Sequence, residues 1–307
     1  MKRASGATRL FCFGLGYCAR RLIAASGLEA SGATRAAEAA AAWRREGVAA
    51  FSVEAPDDRE GLAAALAEAE TLLVSAPPDD HGDPALAGFA REIAAARGLK
   101  RVVYLSSVGV YGDRGGAWVD ETSAPSPASP RARRRLAAEE QWRAFAAARR
   151  VPLDVLRLAG IYGPGRNALV TLALGAARRV VKPGLALSRV HVDDVARVAR
   201  RLIEADGPGG AWNVADEAPA PPQDVVAFAA ALLGVAPPPE EDFAAAALSP
   251  LARGFYADDR RVSVEKLRRE LGFRWLYPTY REGLAALAAA GEGRRATGTL
   301  ARATERE

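Results

Sequence analysis

The sequence predicts a doubly wound α/β fold: one parallel sheet with helices on both faces, and a small discontinuous C-terminal lobe. Three observations point there. The stretch Leu10–Ala19 runs from an apolar strand through a glycine turn into a helix. Short apolar runs then alternate with Ala-rich helices through the first half of the chain. The run Val102–Leu105 is apolar throughout, as a strand covered on both faces must be.

The first of these stretches carries the chemistry. Gly14 and Gly16 fit the first two glycines of G-x-G-x-x-G/A, and Ala19 fills the third place. Gly14 allows a tight turn, Gly16 lets a pyrophosphate approach the backbone, and Ala19 lets helix pack on strand. The helix that follows points free N–H groups and a positive dipole end at phosphate. Leu15, Tyr17 and Cys18 complete the candidate phosphate loop. In such units an acidic residue about 20 positions on binds the ribose 2′-hydroxyl of NAD. This chain places Thr34-Arg35 there. An arginine neutralises a 2′-phosphate, so NADP(H) is favoured over NAD(H). The competing readings are that Arg35 simply opens the next helix or stacks on adenine.

The remaining elements follow in order. Strands are expected at Thr8–Phe13, Leu28–Thr34, Val48–Val53, Thr71–Ala76 and Lys100–Ser107. Helices are expected at Tyr17–Ser26, 36–46, from Asp57-Asp58 as a cap to Ala69, at Pro84–Arg97 and at Arg131–Arg149. Ser75 and Ala76 break the fourth strand into a Pro-rich loop at the carboxyl edge of the sheet, where cofactor lies in such folds. Residues 112–130 are rich in Gly, Pro and Ser, and their VDETSAPSP section is a candidate lid. Thr279-Tyr280-Arg281-Glu282 is a capping box that opens the last helix.

The chain has 307 residues, 50% hydrophobic and 26% charged, which is enough for one large domain or two smaller ones. The net charge of +5 is spread over Ala-rich helices, with no basic stripe interleaved with aromatics, so nucleic-acid binding is not expected. The two cysteines, Cys12 and Cys18, make no disulfide framework, which fits a reducing cytoplasm. Residues 1–7 lack the apolar core of a signal peptide, and no apolar run is long enough to span a membrane.

Five further stretches carry a family resemblance. VVYLSSVGVYG (Val102–Gly112), LRLAGIYGPGR (Leu156–Arg166), RVHVDDVA (Arg189–Ala196), WNVADEAP (Trp212–Pro219) and LGFRWLYPTYREGL (Leu271–Leu284) resemble, in order, motifs of the extended short-chain dehydrogenase/reductases of the NAD-dependent epimerase/dehydratase type. The resemblance implies a Rossmann-type domain over 1–159, with 189–215 returning to it. It implies a substrate-side lobe over 160–188 and 216–290; residues 291–307 read as a disordered tail. The G-x-G-x-x-A form resembles the atypical branch of that superfamily.

The family's catalytic pair, Tyr and Lys in a Y-x-x-x-K spacing with Glu four residues on, has no match in its usual place. If Glu139 is that Glu, Arg135 stands at the Lys position and Arg131 at the Tyr position. Arg135 is a candidate for ribose hydroxyls or a phosphate; Arg131 cannot act as an acid, because a guanidinium keeps its proton in proteins. Ser107 matches the family's active-site Ser/Thr, with strand-end capping as the alternative. Tyr111 is a candidate proton donor, as is Tyr162, with packing as the alternative for both. His191 is read as a core histidine, Asp194 as the cap of the helix after it, and the His81 loop as turns rather than a metal site. Cys18 is either an activated helix-end thiol or a small residue beneath the cofactor.

The implied function is an NAD(P)(H)-dependent oxidoreductase or epimerase acting on a small polar, sugar-nucleotide-like substrate. The alternative is a non-catalytic NADP(H)-binding regulator. Six arginines on the Arg131–Arg149 helix oppose the family's usual pairing surface, so a monomer or weak homodimer is expected.

Overall fold

The computed structural model describes residues 8–294. The expectations for residues 1–7 and for 295–307 lie outside the described residues.

The first half of the chain alternates strand and helix: β1 (Arg9–Phe13), α1 (Tyr17–Ser26), β2 (Glu29–Thr34), α2 (Ala37–Arg45), β3 (Ala49–Ser52), α3 (Arg59–Ala67), β4 (Thr71–Val74), α4 (Pro84–Ala95) and β5 (Arg101–Ser107). Next come β6 (Trp118–Val119), α5 (Pro130–Arg149), β7 (Leu153–Leu158), β8 (Gly160–Tyr162), α6 (Ala168–Ala173), β9 (Arg179–Val181), β10 (Arg189–His191) and α7 (Val192–Ile203). The chain ends through β11 (Gly209–Val214), α8 (Pro222–Leu233), β12 (Glu240–Asp242), α9 (Pro250–Ala257), β13 (Arg261–Val262), α10 (Glu265–Leu271) and α11 (Tyr280–Ala289).

Seven strands form one sheet in the order β11-β7-β5-β4-β1-β2-β3. Every neighbouring pair in it is parallel. The period-2 alternation of strand side chains explains the two layers. Leu10, Cys12, Leu73, Val103 and Leu105 pack with Ala19 and Leu22 of α1, Trp43 of α2 and Val195 of α7. Phe11, Phe13, Leu72, Val74 and Tyr104 pack with Leu62 of α3, Ile93 of α4 and Trp142 of α5. Both faces being covered, these strands read as continuous apolar runs. A third cluster joins Tyr162, Leu169, Val225, Ala229, Tyr280, Leu284 and Leu287, from β8, α6, α8 and α11.

Several local expectations are corrected. Asp58 does not cap α3 with its side chain. A 3-10 turn at Pro56–Asp58 precedes that helix, and the Asp58 carboxylate instead accepts from the Ser52 N–H at 2.7 Å. His191, not Asp194, caps α7: its Nδ1 accepts from the Asp193 N–H. Asp194 is fully buried and accepts from the Leu276 and Tyr277 N–H groups, joining α7 to the C-terminal segment. The 112–130 loop, read as a candidate lid, is anchored at two points: β6 pairs with β13, and the Glu121 carboxylate accepts from the Asn213 N–H. Residues 291–294 are not a frayed end, since Glu292 accepts hydrogen bonds from Gly165 and Asn167. The capping box at Thr279 and Glu282 is present as read.

Candidate functional site

The sheet order reverses between β1 and β4, because the chain winds outward through β2 and β3 and then crosses back. Such a switch point opens a crevice at the carboxyl ends of the strands. The fingerprint borders it from β1. The Gly14 and Leu15 N–H groups both donate to the Ala33 carbonyl, at 3.0 and 3.2 Å. Gly14 has φ +95°, and a Cβ there would lie 2.6 Å from Ser75 Oγ, so only glycine makes this turn. Ser75 Oγ donates to the Gly14 carbonyl at 2.7 Å, while the Ser75 and Ala76 N–H groups donate to the Phe13 carbonyl. The Leu15 carbonyl takes the Trp43 indole N–H at 3.1 Å, which fixes the loop from below.

Gly16 does something different. A Cβ there would meet nothing within 4 Å. It is the N-cap of α1, offers no side-chain cap, and the first turn holds no acidic residue. The N–H groups at that end take no side-chain cap among the described residues, and a positive dipole end stands behind them. Ala19 is fully buried against the sheet, as its place in the fingerprint requires. Beyond β2, Thr34 is half-buried and Arg35 exposed. The Arg35 carbonyl accepts from Ser52 Oγ at 2.6 Å, and its guanidinium makes no ion pair among the described residues. These residues fit a dinucleotide.

On the same edge, Ser107 ends β5. Its Oγ accepts from the Gly109 N–H at 3.1 Å, capping the turn Val108–Tyr111, and its hydroxyl proton has no acceptor among the described residues. The strand-end capping role of Ser107 is present.

Tyr111 takes up the packing alternative. It is fully buried; its hydroxyl donates to Asn213 Oδ1 at 2.7 Å and accepts from Arg157 Nη1 at 3.0 Å. Burial pushes the phenol pKa up despite Arg157. Tyr111 belongs to an interior network in which Glu139 accepts from Ser106, Arg143 and Arg157. Burial opposes the Glu139 charge, but Arg157, Ser106 and Arg143 outweigh it and hold the carboxyl below its usual range. Arg135 is likewise turned against the strand: its Nη1 donates to the Tyr104 hydroxyl at 3.0 Å and the Leu105 carbonyl at 2.9 Å. Arg131, one turn earlier, is exposed.

The other candidates resolve by burial. Cys18 is not activated; burial pushes its thiol up to about 11, with Arg166 opposing. Tyr162 is buried, and its phenol pKa is raised by that burial. His191 is 1% exposed, burial favours its neutral form, and Nε2 has no partner among the described residues. Asp79, Asp80 and Asp83 take separate jobs, in a turn with His81, a pair with Arg134 and the cap of α4. Asp216, not singled out in the sequence, is 1% exposed, and burial pushes its carboxyl up to about 7. No local pattern marks it, because its environment is assembled from β10 and the segment before α8.

The profile of the NAD dependent epimerase/dehydratase family matches residues 86–215. The Escherichia coli (strain K12) protein YeeZ is 31% identical over 224 residues, 70% of this chain and 74% of that one. The chain belongs to the NAD dependent epimerase/dehydratase family. A Streptomyces sp. relative, 3-diazoavenalumate denitrifying reductase, is 30% identical over 234 residues, 69% of this chain and 75% of that one. The solved structure of a functionally unknown conserved protein from Silicibacter pomeroyi DSS is 43% identical, with a TM-score of 0.83. That likeness covers 93% of this chain and 100% of the other. The family assignment supports a nicotinamide cofactor and an oxidoreductase or epimerase activity. No helix among the described residues is long and apolar enough to cross a membrane.

Proposed function

We propose that this chain is an NADP(H)-dependent oxidoreductase or epimerase acting on a small, polar, sugar-nucleotide-like molecule. The observation that carries the reading is the uncapped, acid-free end of α1 over Gly16, with Arg35 and Ser107 on the same sheet edge. The crevice residues Gly14, Leu15, Gly16, Tyr17, Cys18, Ser75 and Ala76 would hold the dinucleotide, which supplies hydride when bound. Thr34 and Arg35 would take a 2′-phosphate. Ser107 would donate its hydroxyl proton to a carbonyl or hydroxyl oxygen of the substrate. The lobe built on α6, α8 and α11 would close the substrate side. A relative whose name describes a reductase of an avenalumate is in keeping with hydride transfer.

A second reading is a non-catalytic NADP(H)-binding regulator. It is favoured by the buried Tyr111 and, if Glu139 is the family's Glu, by arginines at the positions of the family's Tyr and Lys. Turnover of NADPH against aldehydes, ketones and nucleotide sugars separates the two. Consumption of NADPH that falls in Ser107→Ala supports the enzyme; tight binding without turnover of any of them supports the regulator.

A further inference from the structure

Arg166 is a charged residue of the turn packed on α1, and neither the fingerprint nor the proposed chemistry uses it. It closes a tight turn in which Gly163 and Arg166 exchange both backbone hydrogen bonds, each at 3.0 Å. The turn is seated on the first residue of α1, where the Tyr17 phenol donates to the Pro164 carbonyl at 3.0 Å. A Cβ at Gly163 would stand 2.6 Å from both the Tyr17 hydroxyl oxygen and a Val192 methyl, so this approach depends on glycine. From the other side Glu292 steadies the turn, accepting from the Gly165 N–H and from Asn167 Nδ2, each at 3.1 Å.

The Arg166 guanidinium is exposed and makes no ion pair among the described residues. The turn that carries Arg166 rests on Tyr17, so a permanent cation is held next to a helix end that has neither a side-chain cap nor a first-turn carboxylate.

We infer that Arg166 completes the phosphate site from across the crevice, setting its guanidinium against the pyrophosphate of the bound dinucleotide. This rests on the dinucleotide reading above. The planar fork matches two phosphate oxygens at once, whereas backbone N–H groups of α1 reach them from one side only. Its task is separate from that of Arg35, which lies past β2 at the adenosine end. Glu292 and Asn167 are positioning residues for the turn.

Calorimetric titration with two probes tests this. ADP-ribose carries the pyrophosphate without nicotinamide; adenosine 2′-monophosphate carries the adenosine end without pyrophosphate. Arg166→Ala is expected to weaken ADP-ribose about tenfold while leaving adenosine 2′-monophosphate within about twofold. Arg166→Lys should recover part of the loss, since it restores the charge without the fork. The salt dependence of ADP-ribose binding should also flatten in Arg166→Ala. Equal ADP-ribose affinity in wild type and Arg166→Ala would overturn the inference alone. A wild type that binds neither probe would overturn the dinucleotide reading beneath it.

Discussion

Arg157 on β7 and Glu139 on α5 face each other inside the protein, Nη2 to Oε2 at 2.9 Å, with side chains 4% and 0% exposed. The pair joins the sheet to the helix that packs against the Val108–Tyr111 turn. Glu139→Gln would leave the Arg157 charge buried without its counter-charge. The expected loss is about 3–5 kcal/mol of stability, because breaking one partner of a buried pair strands the other. Denaturant unfolding measures it, and a loss below about 1 kcal/mol would show the pair to be dispensable.

Asp216 gives a pH dependence of definite sign. Its carboxyl is raised to about 7 when folded, against an ordinary value of 3.8. Between those values the folded state holds a proton that the unfolded state has released, so stability falls as pH rises from about 4 to 7 and levels off above. Asp216→Asn removes that titration while keeping an oxygen for the Ala218 N–H. The difference between variant and wild type should therefore move in the variant's favour across this window, by on the order of 4 kcal/mol. Unfolding curves taken from pH 4.5 to 8 would refute this if the difference stayed constant.

The two glycines of the turn should separate folding from binding. Gly14→Ala meets Ser75 Oγ and the Ala76 backbone in addition to its positive φ. It should lose at least about 1–2 kcal/mol from the backbone conformation alone. The Cβ of Gly16→Val meets no neighbour within 4 Å, and the position has φ −95°, which valine adopts readily. Its melting temperature should stay near wild type while ADP-ribose binding is lost to the side chain standing in the crevice. A Gly16→Val protein that still binds ADP-ribose as wild type does would place the pyrophosphate elsewhere.

Cofactor choice turns on Arg35. NADPH is expected to bind about tenfold more tightly than NADH, through a charge-assisted contact with the 2′-phosphate. Arg35→Ala should erase the preference, and Thr34→Asp should shift it toward NADH by repelling phosphate and accepting a ribose hydroxyl. Equal affinities in the wild type would mean that Arg35 serves another purpose.

The sheet and its helices were legible because their signals are local. Tyr17–Ser26 was read with its observed ends, and the apolar runs at Thr71 and Val102 mark strands buried on both faces. The site was legible where geometry follows from a backbone rule, as at Gly14. It was not legible where a side chain's meaning depends on distant partners. Tyr111 reads as a loop phenol until Asn213, 102 residues away, takes its hydroxyl. Asp194 has the look of a helix cap until Leu276, 82 residues on, claims it. Strands of two or three residues, such as β6 and β10, are too short to show a period and exist only because a partner strand is beside them.

The order of strands carries a consequence for how the chain is made. After β3, every strand added to the large sheet lies next to the sheet strand that precedes it in sequence, apart from β4, which joins β1. A chain emerging from the ribosome thus always finds its docking edge already synthesised, and the sheet can grow outward in step with translation. The third apolar cluster behaves differently. It draws on residues from Tyr162 to Leu287, so it stays open until the last helix has been released. A nascent chain arrested before Tyr280 would carry every strand of the large sheet and an exposed apolar face from α6 and α8, which is the interval in which a chaperone has something to hold.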